Sequence, residues 1–211
     1  MDFAVIGGAD RPTVIFISGG SPFFLAALAV LAFFYAIYFA KMFAQKKRGI
    51  RTRQLGKRRE KDLRAVEILL SIATFSIVPI QLLSMVFGWS LLPGAIRIVG
   101  AIMGLIGDMV FLIAVLHMRD SWRAGIPAED KTELVSDGIY KFSRNPAFLG
   151  FDLMYTGILL MYFNPVLLLF TVWAVVMLHL QILQEEKFLQ TTFGQAYMYY
   201  KKHTARYLGR R

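Results

Sequence analysis

The sequence predicts an all-α, polytopic membrane protein with about five transmembrane helices, the last two forming a hairpin. Two observations carry this. Hydrophobic residues are 56% of the 211, with a mean hydropathy of +0.52, and they gather into runs close to the roughly 20 residues that span a hydrocarbon layer of about 30 Å. The 24 Lys and Arg residues, which leave a net charge of +10, fall almost entirely between those runs. Basic connections of this kind point to the cytoplasmic face and to anionic lipid headgroups rather than to nucleic acid. With no cysteine, the chain excludes disulfides, thiolate catalysis and Cys-ligated metals.

Taken in order, residues 1–21 are punctuated by Gly7-Gly8, Arg11-Pro12 and Gly19-Gly20, which leaves a strand-like or buried core only at 14–18. No basic segment precedes the first apolar run, so a cleaved secretion signal is not expected. The stretch Gly8-Ala9-Asp10-Arg11-Pro12-Thr13 resembles a short segment of the membrane subunit of sodium-pumping decarboxylases, with Arg11 where that family has Gly. A surface tail or small anchor is the simpler expectation.

Residues 22–40 form the first expected span, opened by Pro22 in its first turn and carrying Tyr35 and Tyr38 near its far end. The stretch 46–64 then holds ten Lys or Arg against Glu60 and Asp62, a solvated loop expected to stay in the cytoplasm. Residues 66–87 are the second span, with Glu67 at its basic end and Pro79 as a site of kinking. Trp89 belongs to a short outer turn at interfacial depth.

Residues 95–118 are the third span. Gly100, Gly104 and Gly107 give it a small-residue face for close helix packing, and Arg97 near its outer end is placed to snorkel. Asp108, near mid-span, reads equally as a functional ionisable group or as a hydrogen-bonded structural one. These three spans, residues 22–118, precede a carboxy-terminal region, 119–211.

That region starts polar and then runs through two apolar segments, 148–163 and 166–183, joined by the turn signal Asn164-Pro165. The first reaches only about 24 Å as a helix, so the hairpin is expected to tilt or fall short of the far surface. In the basic tail, Phe193, Tyr197 and Tyr200 recur at helical spacing, as in a helix lying on a membrane interface, or as a packing stripe. Counting Lys41, ten cations in 46–64, five in 119–144 and six in the tail, 22 of 24 lie on one side of a five-span arrangement. Only Arg11 and Arg97 fall on the other, which places the amino terminus outside and both 134–145 and Glu185-Glu186 in the cytoplasm.

The organising stretch is 134–186. A polar, turn-rich segment leads straight into membrane-length apolar runs, and the second run exits onto Glu185-Glu186. Charged groups, backbone donors and a hydrophobic slot therefore meet at the bilayer edge, as the pocket for a polar cofactor facing a lipophilic substrate requires. Here Gly138-Ile139-Tyr140, then Arg144-Asn145-Pro146-Ala147-Phe148-Leu149-Gly150, the Asn-Pro hairpin, the Glu pair and a Phe-Gly-Gln-Ala-Tyr tail resemble the isoprenylcysteine carboxyl methyltransferase family and the wider group that includes phospholipid methyltransferases. The resemblance covers the last 95 or so residues, with Asn145 where the family has His and Phe148 where it has Tyr.

The resemblance implies S-adenosylmethionine as cofactor, bound by Thr132, Glu133, Leu134 and Val135 around the nucleoside and by Tyr140, Arg144, Asn145, Pro146, Ala147, Phe148, Glu185 and Glu186. Side-chain chemistry agrees. A carboxylate such as Glu185 suits the cofactor's ammonium, Arg144 and Asn145 at a helix start suit its carboxylate, and Tyr140 and Phe148 offer π-faces to the adenine or sulfonium. The catalytic set implied is Gln181, Glu185 and Arg144. In the prenylcysteine enzymes an Arg meets the substrate carboxylate at the position Gln181 occupies, so Gln181 suits a neutral or amine-bearing lipid equally well.

Singly, each feature has a plainer reading: a solvated helix end for the Glu pair, a snorkelling cation for Arg144, belt aromatics for Tyr140 and Phe148. Their joint occurrence in order carries the functional one. His117, His179 and His203 show no metal-ligand spacing, though His179 shares a helix face with Glu186. Sterol and steroid reductases, which bind NADPH, have a similar carboxy-terminal pattern, but two adjacent carboxylates oppose a polyanionic cofactor. A transporter subunit or scaffold built around Asp108 is the non-enzymatic alternative.

Overall fold

The computed structural model describes residues 4–6, 13–15, 21–50, 52, 61–123 and 133–209. Most of residues 1–21, much of the basic stretch 46–64, and Thr132 lie outside them, so the expectations placed there are not addressed by the structure.

Strands β1 (Ala4–Ile6) and β2 (Thr13–Ile15) pair antiparallel with Ala4 opposite Ile15, the only strand pair among the described residues. The helices that follow among the described residues are α1 (Pro22–Lys47), α2 (Lys61–Val86), α3 (Gly94–Met118), α4 (Pro146–Met161) and α5 (Pro165–His203). Short 3₁₀ turns at Arg119–Ser121 and Gly138–Lys141 lie between α3 and α4. Among the described residues, four helices are long and apolar enough to cross a membrane, and α4 is shorter. Along α3, Ile98, Ile102, Leu105, Met109 and Ile113 form an exposed apolar face, which water would not tolerate but lipid does. The chain is thus the all-α, multi-pass membrane protein its hydropathy predicts.

Proline opens α1, α4 and α5, where its missing N–H costs nothing. The Asn164-Pro165 turn is fixed by the Asn side chain. Its Oδ1 accepts from Leu167 N at 2.9 Å and caps α5, while its Nδ2 donates to Ser84 Oγ and Tyr162 O, both at 3.0 Å, tying the hairpin to α2. Pro79 does not interrupt α2, which runs on to Val86.

The packing core is a glycine seam between α3 and α4. A Cβ on Gly100 would sit 2.6 Å from Gly157 O, on Gly107 2.7 Å from Met154 N, and on Gly157 2.6 Å from Gly104 N. Only bare backbone allows this approach. At the end of this seam Phe34 of α1 stacks on Phe111 at 4.3 Å, with Phe151 of α4 edge-on to Phe34 at 4.6 Å. The remaining helix, α2, lies mainly along α5.

Arg97 and Asp108 of α3 both lie inside the packing. Arg97 turns inward instead of snorkelling: its Nε donates to Met161 O at 2.8 Å and its guanidinium covers the Phe23 ring at 4.1 Å. It thereby satisfies a carbonyl at the end of α4. Asp108 is fully buried, and neither carboxylate oxygen has a hydrogen-bond partner among the described residues.

Helix α5 is about 58 Å long by its residue count, far more than a bilayer needs. It breaks at Gly194, whose φ of 50° and ψ of −122° leave the helical region at little cost only because glycine lacks a Cβ. Beyond the break the chain turns its aromatic stripe onto the protein. Tyr197 and Tyr200 are buried against Ala114 and Tyr140, with Phe193 packed beside them, so these rings serve packing rather than a membrane surface.

Candidate active site

The site is assembled at the Lys/Arg-rich end from the 3₁₀ turn, the start of α4, the middle of α5 and the tail. Its scaffold begins at Gly138. With φ of +54° this position disfavours any side chain, and a Cβ would collide with the His117 ring. The turn it starts carries Tyr140 inward. Tyr140 donates to Ala114 O at 3.4 Å, and its own carbonyl accepts from Tyr200 OH at 2.6 Å. Burial holds the Tyr140 phenol well above its ordinary range, with the charges of Tyr200 and Glu185 adding to the effect. Leu134, Val135, Ala147 and Leu189 pack around this aromatic group.

Below it lies a buried ionic knot. Glu186 accepts from Arg144 Nη2 at 2.7 Å, from Arg206 Nε at 3.1 Å and Nη2 at 3.0 Å, and from Asn145 Nδ2 at 3.4 Å. The Arg144 and Glu186 side chains are 4% and 5% exposed, whereas Arg206 is 34% exposed. Arg144 Nη1 also donates to Lys201 O at 2.9 Å and Thr204 O at 3.0 Å. The hydrogen bonds to Glu186 raise the Arg206 guanidinium above its ordinary value against an opposing burial penalty.

The segment after α5 is strapped onto the start of α4: Arg144 N donates to Ala205 O at 3.0 Å, Asn145 Nδ2 to Arg206 O at 3.1 Å, and Gly209 N to Phe142 O at 2.8 Å. Tyr207 continues the strap by meeting His179 Nδ1 through its hydroxyl at 2.5 Å.

Glu185 faces elsewhere. It is half-buried, and its Oε1 accepts from Gln181 Nε2 at 3.1 Å. Gln181 in turn lines a cavity of about 660 Å³ between α1, α2, α4 and α5. The walls are almost wholly apolar, including Leu31, Tyr38, Phe75, Phe148, Phe151 and Leu178. Its size is that of a pocket for a small molecule or one lipid tail. One helical turn of α5 therefore joins an apolar slot to a polar, carboxylate-bearing site.

The residues singled out in the sequence separate into three groups. Arg144, Asn145 and Glu186 meet in the ionic knot, with buried Pro146 starting α4 beside them. Tyr140, Leu134, Val135 and Ala147 share the aromatic cluster. Ala147, Phe148 and Gln181 line the cavity, with Glu185 hydrogen-bonded to Gln181. Glu133 is exposed and donates its N–H to Ser121 Oγ at 3.4 Å, and Thr132 lies outside the described residues. Sequence reasoning missed Arg206, Tyr197 and Tyr207. Within a basic tail nothing local separates a knot-forming Arg206 from a solvated cation.

Residues 83–196 match the family model for phospholipid methyltransferase. That covers more than half of the chain and includes α3, α4, the glutamate pair and the first part of the tail. The chain belongs to the phospholipid methyltransferase family. Among curated proteins it is similar to the protein-S-isoprenylcysteine O-methyltransferase of Saccharomyces cerevisiae (strain ATCC 204508 / S288c), with 27% identity over 121 residues, 55% of this chain and 50% of that protein. The alignment spans about half the length of this curated relative. The family match leaves out α1 and most of α2, which form one side of the apolar cavity.

Proposed function

We propose that this protein is an integral membrane S-adenosylmethionine-dependent methyltransferase acting on a lipophilic acceptor, an isoprenylcysteine carboxylate-like group or a lipid amine. The observation that carries the reading is the shared wall: Gln181 lines the apolar cavity and donates to Glu185 at 3.1 Å. A greasy acceptor and a polar cofactor would meet there with little water between them.

The residues present suit such a cofactor. Among the described residues, buried polar atoms of the site without a hydrogen-bond partner are Gln181 Oε1, on the residue bonded to Glu185, and Arg144 Nε and Tyr197 OH on the knot side. Unsatisfied buried groups are costly and imply something that satisfies them. In this reading Glu185 takes the ammonium, and Arg144 Nε offers its remaining N–H to the carboxylate. Most of the Arg144 fork is already committed to Glu186 and the strap, so its larger part is to hold the site's shape. Tyr140 and Phe148 supply π-faces. The cofactor, when bound, supplies an electrophilic methyl group. The chain's own contribution is to orient the acceptor, strip its water and keep it in line, which is where rate is gained in such a displacement. The distribution of 22 cations on one side supports a site that faces the cytoplasm.

The test is S-adenosylmethionine titration by calorimetry on the purified protein, followed by transfer of labelled methyl groups to lipid acceptors. Saturable binding that is lost in Glu185→Ala supports the reading. A folded wild type that binds no S-adenosylmethionine, with lipid supplied, overturns it.

A further inference from the structure

A file of polar side chains lies between the tail strap and the apolar cavity. It starts below the knot, where Asn145 of α4 and Glu186 of α5 both hold Arg206 at 3.1 Å. Asp152 lies seven residues, about two turns, beyond Asn145, and His179 lies seven before Glu186. Because α4 and α5 form an antiparallel hairpin, Asp152 and His179 come to the same level. Tyr207, next to Arg206 in the tail, enters at that level. Its hydroxyl meets His179 Nδ1 at 2.5 Å, its ring lies over the imidazole with centroids 6.0 Å apart, and Asp152 is within electrostatic reach.

The file continues to the cavity. Tyr155 is three residues on from Asp152, its neighbour on one face of α4, and the two interact electrostatically. Tyr155 is fully buried, and its hydroxyl faces that of Tyr35 on α1, a residue of the cavity wall. Asp152 Oδ1 and Tyr155 OH are buried without a well-formed hydrogen bond among the described residues. The other titratable groups in reach are Tyr38 of α1 and the Arg206–Glu186 pair, which is bonded to itself and to Arg144. Polar groups under-satisfied beside an apolar slot are costly, and ionisable ones inside a membrane protein mark routes for ions or protons. Each hydroxyl here can give one proton while taking another.

We propose that Asp152 takes up the proton of an amine-bearing lipid in this cavity, reached through Tyr35 and Tyr155, with Tyr207 and His179 as the exit to solvent at the Lys/Arg-rich end. The proposal rests on the methyltransferase reading above and selects the lipid amine, since a carboxylate accepts a methyl group without losing a proton. An amine arrives as ammonium, whose nitrogen has no lone pair free to react. Its N–H bond breaks and the proton passes to Tyr35 Oη, while Tyr35 hands its own to Tyr155 and Tyr155 hands its own to an Asp152 oxygen. The freed lone pair forms the N–C bond as the bond from methyl to sulfur breaks, with that electron pair staying on sulfur. Asp152 then returns to the carboxylate by passing its proton through the Tyr207 hydroxyl to His179 and on to water. Asp152 and Tyr155 act through Tyr35 and do not touch the acceptor.

The first test needs no turnover. The full chain, in nanodiscs and mildly alkaline buffer, is titrated with dodecylammonium while infrared difference spectra follow the carbonyl band of protonated carboxyl groups. Expected is a saturable rise of a band that shifts in D2O, is absent in Asp152→Asn and is weakened in Tyr155→Phe. Dodecyltrimethylammonium, which has no N–H proton, should not raise it. The second test is transfer of labelled methyl groups from S-adenosylmethionine to dodecylamine. Asp152→Asn should lower the rate at neutral pH at least about a hundredfold, the range of a lost proton acceptor. The loss should shrink as pH rises and the amine arrives neutral, and Asp152→Glu should restore most of the rate. Tyr35→Phe, at the cavity wall, should show the same pH-dependent loss and serves where Asp152→Asn does not fold. A band that survives Asp152→Asn or never appears, a loss that no pH recovers, or methylation of dodecanoate without dodecylamine overturns the proposal. Absence of S-adenosylmethionine binding by the wild type is a separate failure, of the methyltransferase reading, and leaves the infrared result standing.

Discussion

Replacing each of the two adjacent glutamates by alanine should separate stability from cofactor binding. Glu186 is the partner of Arg144, whose side chain is 4% exposed, and it accepts four hydrogen bonds from Arg144, Arg206 and Asn145. Arg206, at 34% exposure, can turn to solvent when the carboxylate is lost, but Arg144 cannot. Removing one member of a buried pair leaves an uncompensated charge, at a cost of about 3–5 kcal/mol. Glu186→Ala should lose that much stability. Glu185 is only half-buried, so Glu185→Ala should cost about 0.5–1.5 kcal/mol. The assay is equilibrium unfolding in mixed micelles with increasing anionic detergent, paired with S-adenosylmethionine calorimetry under conditions where both variants remain folded. Glu185→Ala should unfold nearly as wild type yet lose binding. A Glu186→Ala variant as stable as wild type, or a Glu185→Ala variant as damaged as Glu186→Ala, would refute the division of labour read from the knot.

Three further outcomes follow from the packing. Gly157→Ala places a Cβ 2.6 Å from Gly104 N, an atom of backbone that cannot swing aside, and should destabilise by about 1–3 kcal/mol in the same unfolding assay; Gly104→Ala, which meets the movable Val30 Cγ1 at 2.9 Å, should cost less. Gly138→Ala should be destabilised both by its positive φ, at about 1–2 kcal/mol, and by collision with His117, so adding His117→Ala should recover only part of the loss. Thr74→Trp, which fills the cavity wall, should lower methyl transfer to a lipid acceptor while leaving the S-adenosylmethionine dissociation constant within about twofold, since Thr74 is on α2 and the cofactor groups that reach the cavity, Ala147, Phe148 and Gln181, are on α4 and α5.

The spans were legible because a hydrocarbon layer imposes a length. Runs of about 20 apolar residues become helices whatever their neighbours do, and α1 to α5 fall where hydropathy puts them. The helix starts at Pro22, Pro146 and Pro165, and the small-residue face of α3, were legible for a similar local reason. The ordered combination from Gly138 to Glu186 pointed to the family, which the match over 83–196 shows.

Charge was less legible. Arg97 and Arg206 look like surface cations in the sequence, and each instead closes an internal contact. Whether a guanidinium meets water or a buried acceptor depends on which distant segment arrives beside it. The stripe of Phe193, Tyr197 and Tyr200 has the same periodicity on a membrane surface as in a core, and only the break at Gly194 turned it inward. Of two neighbouring glutamates the sequence favoured Glu185 as the cofactor contact without separating their surroundings. A 100° step along the helix sends Glu186 into the knot and Glu185 toward Gln181.

Thus the sequence by itself determined which segments cross the membrane and which family the carboxy-terminal half resembles, because hydrophobic length and ordered motifs are local properties of the chain. The tertiary structure alone decided that the tail is strapped across the start of α4 through Arg206, that α1 and α2 wall the apolar cavity against α4 and α5, and which glutamate holds the site together. Those are contacts between residues tens of positions apart, and no local pattern encodes a partner at that separation.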